Sequence, residues 1–153
     1  MDRFRFVDGA SALRLELLNA NGWYLGKGLD LGRRTTERTY LNQKGVDGAV
    51  LVAADLEIRT MTIPLHMAKQ GNATAMLALY EDLVDELDRE TNIIELRPTG
   101  FGTSFLIDTY RGDGDSLFHD ANFSDVFKKL RTGEPVVVTL ERAPKSRGAG
   151  TYL

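Results

Sequence analysis

Hydrophobic and polar residues alternate with a period of two along much of this chain, a pattern typical of β-strands with one buried face. Residues 13–17 show it most clearly, with leucines separated by single charged residues. The turn residues at positions 19–22 and the short run at positions 23–25 then predict a β-hairpin near the start. Three further strands are predicted at residues 93–97, 104–110 and 135–141, the first two as antiparallel neighbours.

The longest β-like stretch covers residues 49–65 and changes parity partway along. Leu56 and Ile58 fall on one side of an extended strand, whereas Met61 and Ile63 fall on the other. A shift of one residue turns every later side chain to the opposite face of a sheet. The change therefore indicates either a β-bulge or a strand that passes from one sheet to another.

One segment has the period of an amphipathic α-helix instead. It covers about residues 72–90 and begins at Asn72, a residue type that favours the N-cap position. Residues 123–130 are compatible with one or two further helical turns. The predicted fold is therefore α+β and mostly β, an antiparallel β-sandwich or split barrel flanked by one amphipathic helix. The predicted apolar stripe of that helix consists of Met76, Leu77, Tyr80, Leu83, Val84 and Leu87.

The opposite face of the predicted helix is strongly acidic. An acidic helix face can bind a basic partner or line a negatively charged passage, although a solvated surface is the usual explanation for such a run. Both interpretations stay open from the sequence. The candidate residues of this face are Glu81, Asp82, Asp85 and Glu86.

A long excursion separates the first hairpin from the strand at residues 49–65. Residues 26–48 contain glycines and a polar run but no sustained apolar period. Loops of this length are uncommon inside compact domains and often bind partners, so residues 29–48 form a candidate contact arm. An exposed hairpin with threonine-rich strands is an equally supported alternative. The candidate interface residues of the contact arm are Arg33, Arg34, Arg38 and Tyr40.

The last residues of the sequence form a second candidate contact segment. Residues 1–144 are predicted to be a single domain, and residues 145–153 are predicted to be a C-terminal extension with few apolar anchors. Such a segment is either a frayed terminus or an arm that a partner orders. Its candidate interface residues are Lys145, Arg147 and Tyr152.

Composition narrows the classes of protein that this sequence can represent. A hydrophobic fraction of 42% and a charged fraction of 27% are typical of a folded globular domain. The sequence contains no cysteine, which excludes disulfides, thiolate metal sites and cysteine nucleophiles. The net charge of -3 argues against charge-driven binding of nucleic acid. Without a signal-peptide core or a long apolar run, we expect the chain in cytoplasm-like conditions and in no membrane.

Residues capable of catalysis do not form a recognisable motif. His66 and His119 have no local partner with metal-ligand spacing, and no serine lies in a nucleophile elbow. We therefore expect neither an enzyme nor a protein with a cofactor or metal. One acidic loop cluster has oxygen ligands suited to calcium, but its spacing is not that of an EF-hand, and a solvated turn is the favoured interpretation. This cluster consists of Asp108, Asp113, Asp115 and Asp120.

The order of these elements resembles a known family. Residues 56–65, the helix that follows and residues 93–98 are similar to the N-terminal domain of siphophage distal tail proteins and related minor tail proteins. The similarity covers about two thirds of the chain, judged from approximate element boundaries. It implies a structural virion protein that forms a hexameric ring between the tail tube and the tail tip.

The same resemblance implies partners and a location. The expected partners are further copies of this chain, the tail tube protein, the tail tip or hub protein and the tape measure protein. DNA would pass through the lumen of the ring without sequence-specific recognition, and the ring would be assembled in the host cytoplasm and kept in the virion tail. On this interpretation, residues 29–48 and 145–153 are ordered only by adjacent subunits or rings.

Two other functions compete with the distal tail interpretation. A tail tube or tube-completion subunit has the same plan of strands and helix but stacks into many rings. A small carbohydrate-binding β-sandwich belongs to a different class, and it would use aromatic side chains to stack against sugars. Candidates for that stacking are Trp23, Tyr24 and Tyr40.

Overall fold

The computed structural model describes residues 1–33, 36–42, 49–111 and 123–148. The fold is mostly β, with an eight-stranded antiparallel sheet that nearly closes into a barrel and two helices. This confirms the fold class predicted from the sequence. The elements are β1 (Arg3–Val7), β2 (Leu13–Glu16), β3 (Trp23–Leu25), β4 (Thr36–Asn42), β5 (Ala49–Leu56), β6 (Arg59–Met67), α1 (Ala73–Leu87), β7 (Thr91–Arg97), β8 (Phe105–Tyr110), α2 (Phe123–Arg131), β9 (Val136–Arg142) and β10 (Arg147–Gly148).

The barrel strands follow the order β2-β1-β7-β8-β9-β6-β3, and β10 pairs with β8 beside them. The first and last strands of this order meet only through a single antiparallel bridge between Leu18 and Tyr24. A seam is therefore left between β2 and β3. The strands β4 and β5 form a second, two-stranded sheet of their own.

The strand β1 is not among the strands predicted from the sequence. It alternates arginine with phenylalanine, and Phe4 and Phe6 are 0% and 1% exposed. It pairs with β2 on one side and with β7 on the other. The predicted hairpin of β2 with β3 is consequently reduced to the Leu18–Tyr24 bridge, because β1 is the principal partner of β2.

Inward side chains from neighbouring strands meet in register and form the core. Burying each large apolar side chain contributes roughly 1.5–3 kcal/mol, so these rows account for most of the stability of the barrel. One half of the barrel contributes the rows Phe6–Ile94–Ile107 and Phe4–Leu96–Phe105, and the other half contributes Met61–Leu140, Ile63–Val138 and Leu65–Val136.

The helix α1 begins as the sequence predicts. The Asn72 side-chain oxygen accepts a hydrogen bond from the Ala75 amide at 2.8 Å, so Asn72 is the N-cap. The buried stripe is turned slightly from the predicted one, because Leu77 is 37% exposed and Leu79 packs against the core instead. The apolar residues of α1 that are fully buried are Met76, Leu83 and Leu87.

Side chains of β2 and β3 fasten α1 over the seam of the barrel. The Trp23 indole N–H donates to the Leu79 carbonyl oxygen at 2.8 Å. The Arg14 guanidinium donates to the Glu86 carboxylate at 3.1 Å. The helix is thus bound to the strands on both sides of the opening, and it completes the enclosure of the core.

The helix α2 extends the predicted one or two turns to nine residues. Val126 and Leu130 are buried in the same core as the barrel strands. Phe127 contacts Tyr80 of α1 edge to face, with ring centroids 5.7 Å apart. The two helices therefore touch through this aromatic pair.

The parity change predicted near residue 59 marks a passage between sheets. The strand β5 ends at Leu56 in the two-stranded sheet, and β6 begins at Arg59 in the barrel. Of the two alternatives that the sequence left open, the strand that changes sheets is confirmed. This crossing point is where the two-stranded hairpin joins the barrel.

Candidate functional site

The β4–β5 hairpin is the most distinctive candidate for an interaction site. Its strands pair antiparallel from Thr36 opposite Leu56 to Asn42 opposite Ala49, with one register shift after Thr39. Within the described part of the chain, no third strand pairs with β4 or β5. Each strand therefore has an outer edge whose backbone N–H and C=O groups lack a strand partner.

This hairpin continues a ribbon that starts inside the barrel. The strand β3 pairs with β6 up to Leu25 opposite Leu65, and a bridge follows at Asp30 opposite Thr62. Thr36 follows Asp30 by six residues, and Leu56 precedes Thr62 by six residues. Thr36 and Leu56 lie opposite each other. The Asp30–Thr62 bridge and the base of the hairpin therefore share one pairing register, whereas β3 and β6 pair in a register shifted by two residues.

Gly32 and Arg59 fix the backbone at the junction. Gly32 has a φ of 88°, and a β-carbon there would collide with the Thr60 carbonyl oxygen, so only glycine fits. Arg59 is 8% exposed, and its guanidinium donates twice to the Gly32 carbonyl oxygen, once at 3.0 Å through Nε and once through NH2. A third bond runs to the Pro144 carbonyl oxygen at 3.1 Å.

Arg142 supports the same junction from the neighbouring strand. It lies directly opposite Arg59 and is fully buried. Its guanidinium donates to the Ala143 carbonyl oxygen at 3.1 Å and to the Leu31 carbonyl oxygen at 3.2 Å. Two buried cations thus hold the chain that leads into the hairpin, and bonds from charged donors are stronger than neutral ones.

Sequence reasoning missed both of these arginines. The available signal was their parity, since Arg142 continues the inward series of β9 and Arg59 continues that of β6. A charged residue at an inward position of a strand is uncommon and requires a partner. Here the partners are backbone carbonyl groups of the junction.

The structure places three of the predicted arm residues along the ribbon. Arg33 is exposed at the junction, Arg38 is exposed on β4, and Tyr40 also belongs to β4. Arg34 lies outside the described residues. The predicted boundary at residue 29 is wrong in one respect, because Asp30 bridges to β6 within the same chain and so belongs to the barrel.

The C-terminal candidates fall into two groups. Arg147 lies on β10, which pairs with β8, and its guanidinium binds the Asp108 carboxylate at 2.7 and 2.9 Å. The prediction that neighbours alone order this segment is therefore wrong for residues 145–148, because the chain's own β8 supplies the pairing. Lys145 is exposed, whereas Tyr152 lies outside the described residues.

Three of the four predicted acidic-face residues are exposed on α1. Glu81, Asp82 and Asp85 have no ionic partner among the residues that the structure describes. Glu86 does not belong with them, because it is 8% exposed and accepts hydrogen bonds from Arg14. We call Glu81, Asp82 and Asp85 the acidic face.

The side of β1 and β7 that faces away from the core carries a cluster of ion pairs that sequence reasoning did not find. Glu95 is 5% exposed and accepts hydrogen bonds from Arg3 at 2.7 Å and Arg5 at 2.9 Å. Burial alone would raise the pKa of Glu95, but the bonds from these arginines and from Ser104 outweigh it and hold that pKa below its ordinary value. The Glu95 carboxylate is therefore ionised in the folded protein at neutral pH.

The residues considered above for catalysis or metal binding make structural contacts where the structure describes them. The His66 ring stacks on Tyr24 with centroids 5.2 Å apart, and its Nδ1 lies 3.0 Å from the Gly133 carbonyl oxygen. Among the described residues, no group of side chains has the arrangement of a metal site. Asp108 is bound to Arg147, whereas the other members of the acidic loop and His119 fall in the undescribed segment 112–122.

The carbohydrate interpretation loses one of its three stacking residues. Trp23 is 1% exposed, and its N–H is bound to α1, so its ring cannot present a face to a sugar. Tyr24 is 38% exposed but already stacks on His66. The side chain of Tyr40 lies outside the description. None of the described helices is long and apolar enough to cross a membrane.

Comparison of the chain with protein-family profiles, curated proteins and solved structures finds no match in any of the three.

Proposed function

We propose that this chain is a structural virion protein, a ring-forming distal tail or minor tail subunit that joins a phage tail tube to the tail tip. The observation that carries the proposal is the β4–β5 hairpin, which leaves the barrel and whose two outer edges have no strand partner among the described residues. The resemblance in the order of strands and helix supplies the identity of the assembly. On this proposal, the chain works through contacts and not through catalysis or a cofactor.

The energetics of the hairpin support a role in assembly. An isolated two-stranded hairpin is marginally stable in water, because each strand has only one neighbour. The buried Arg59 and Arg142 nevertheless hold its base in one direction. A segment that is aimed rigidly but needs further pairing is suited to strand addition on another subunit.

A ring is the closed assembly that this arrangement favours. On this proposal, the hairpin docks on a different surface of the next subunit and not on the same edge of a second hairpin. Contacts between two different surfaces are head to tail, and they close into a ring or continue as a helix. The proposed neighbours are further copies of this chain, followed by the tail tube, tail tip and tape measure proteins.

The test removes the hairpin strands and keeps the junction. Residues 37–55 are replaced by Asn-Gly, which leaves Thr36 and Leu56 in place beneath a short turn. We expect the variant to fold but to stay monomeric by light scattering, while the unaltered chain forms closed rings by electron microscopy. A control with only residues 43–48 replaced by Asn-Gly keeps both strands and is expected to assemble.

The form and the extent of assembly separate the competing functions. Single closed rings support a distal tail subunit, whereas long filaments of stacked rings indicate a tail tube or tube-completion subunit. An unaltered chain that stays monomeric at high concentration contradicts the proposal. Full assembly by the variant without hairpin strands also contradicts it.

A further inference from the structure

The protein carries two oppositely charged surfaces, one on α1 and the other on β1 and β7. The inward Phe4 and Phe6 of β1 belong to the core cluster that also contains Leu83 of α1. Arg3 and Arg5 alternate with these phenylalanines and so point away from the core. The arginines therefore lie on the outer side of β1, whereas the acidic face lies on the solvent-exposed surface of α1.

The outer surface has an unusual pairing of like charges. We call Arg3, Arg5, Glu95 and Arg97 the arginine face. Arg3 of β1 lies directly opposite Arg97 of β7, and like charges in that relation destabilise a sheet. Arg3 and Arg5 bind Glu95, and Glu16 lies opposite Arg5 on β2. These carboxylates leave Arg97 without an ionic partner among the described residues.

The Arg97 side chain also carries an unmet hydrogen-bonding group. Its Nε is buried and has no hydrogen-bond partner in the described part of the chain. Buried polar atoms are nearly always satisfied, and an exception calls for a missing partner. Arg97 as a whole is only partly buried, and a carboxylate brought to its guanidinium from outside would offset the repulsion from Arg3.

The acidic face, in turn, lacks cations to balance its negative charges. Glu81 and Asp85 are four residues apart on α1, and like charges at that spacing destabilise a helix. The last turn of α1 contains no basic residue to balance the negative end of the helix dipole. The acidic face is thus an exposed, uncompensated negative surface that a row of cations would stabilise.

We propose that the acidic face of one copy docks on the arginine face of the next copy. This inference rests on the proposed function, and it names a second contact of the ring besides the hairpin. Among the described residues, no ion pair joins the two faces within one copy. Joining them between copies gives a head-to-tail contact, as a ring requires.

The basic end of α2 provides a matched alternative that the test must exclude. Lys128 and Lys129 are exposed, and α2 contacts α1 through Phe127 and Tyr80. Acidic and basic residues on adjacent helices would form a self-complementary surface, which produces a two-fold dimer and no ring. Variants at Lys128 and Lys129 therefore serve as the control.

The experiment uses charge reversal in the full chain and measures the assembly midpoint by light scattering over a concentration series. Placing like charges across an interface is costly, so Arg97→Glu should raise the midpoint concentration by at least about tenfold. Asp82→Arg with Asp85→Arg should do the same. All three substitutions in one chain reverse both sides of the contact of Arg97 with Asp82 and Asp85, and should bring the midpoint back towards the original. Lys128→Glu with Lys129→Glu should leave it unchanged.

Further measurements keep the result interpretable. Arg97→Gln, which removes the charge without reversing it, should weaken assembly in the same direction even if Arg97→Glu disturbs folding. Assembly of Arg97→Gln and Arg97→Glu at the original midpoint would overturn the docking proposal, and so would a two-fold dimer sensitive to Lys128→Glu. If these variants assemble normally while removal of the hairpin strands prevents assembly, the docking proposal fails and the proposed function stands. If the unaltered chain never assembles, both fail.

Discussion

The barrel and the β4–β5 hairpin are built from the same antiparallel pairing but differ in how completely it is satisfied. Barrel strands such as β1 and β7 have a neighbour on each side and buried rows such as Phe6–Ile94 beneath them. In the described residues, each hairpin strand has one neighbour only. The barrel can therefore be stable alone, whereas the stability of the hairpin depends on its base and on what it meets.

The largest expected effect is in the barrel. Phe6 is 1% exposed, and Phe6→Ala should lower the free energy of unfolding by about 3–5 kcal/mol through lost burial and a cavity. Replacing residues 37–55 by Asn-Gly should cost less than about 1 kcal/mol, because an isolated hairpin contributes little. Urea unfolding of both variants measures the difference. Equal losses would mean that the hairpin is part of the cooperative fold.

The next effect lies at the boundary between the two regions. Arg59→Met keeps an apolar stem but leaves the Gly32 and Pro144 carbonyl groups without their charged donor. We expect a loss of about 2–3 kcal/mol by urea unfolding, as for other buried bonds from charged groups. Arg33→Met, which changes an exposed arginine of the same ribbon, should have no measurable effect. Equal stability of Arg59→Met and the unaltered chain would remove the proposed support of the hairpin.

Glu95 tests the barrel's outer surface through pH. Its folded pKa is held below its ordinary value of 4.5, so the ionised form stabilises the fold above that value. This stabilisation is lost as the pH falls through the folded pKa. Glu95→Gln should therefore cost about 2 kcal/mol at neutral pH and progressively less below pH 4.5. The exposed Glu90→Gln is the control, and a difference that stays constant into acid would argue against this role.

The smallest expected effect distinguishes two costs of replacing a glycine. One is the clash of a β-carbon with nearby backbone atoms, and the other is the left-handed backbone conformation alone. Gly32 and Gly28 both have positive φ, but only at Gly32 would a β-carbon meet backbone atoms. Gly28→Ala should cost about 1 kcal/mol for the left-handed conformation. Gly32→Ala should exceed it by about 1 kcal/mol or more, because the ribbon must also shift. Identical midpoints in thermal unfolding would show that the junction is not tightly packed.

The periodicity of the sequence predicted the fold class and most of the strands because apolar rows are local signals. It also located Asn72 as the helix cap and the change of sheets before β6. It missed β1, although Arg3–Val7 alternates charged and apolar residues as β2 does. The partners of the β1 arginines, such as Glu95, are distant in sequence and adjacent only once the strands have paired.

The sequence predicted the arm of the candidate site but not the residues that hold the base of that arm. A glycine-punctuated polar run indicated an arm, because such composition seldom forms a core. The sequence could not show that Arg59 and Arg142 bind backbone carbonyl groups at its base, since those carbonyl groups are distant in sequence. Nor could it separate Glu86, which Arg14 binds, from its exposed acidic neighbours on α1.

The central claim is that the hairpin becomes fully paired only when another subunit meets it. Amide hydrogen exchange of the β4 and β5 residues, measured on the dilute monomer and on the assembled material, tests this most directly. We predict rapid exchange of the outer-edge amides in the monomer and strong protection after assembly, with the barrel amides protected in both. Equal protection of the hairpin in monomer and assembly would contradict the account.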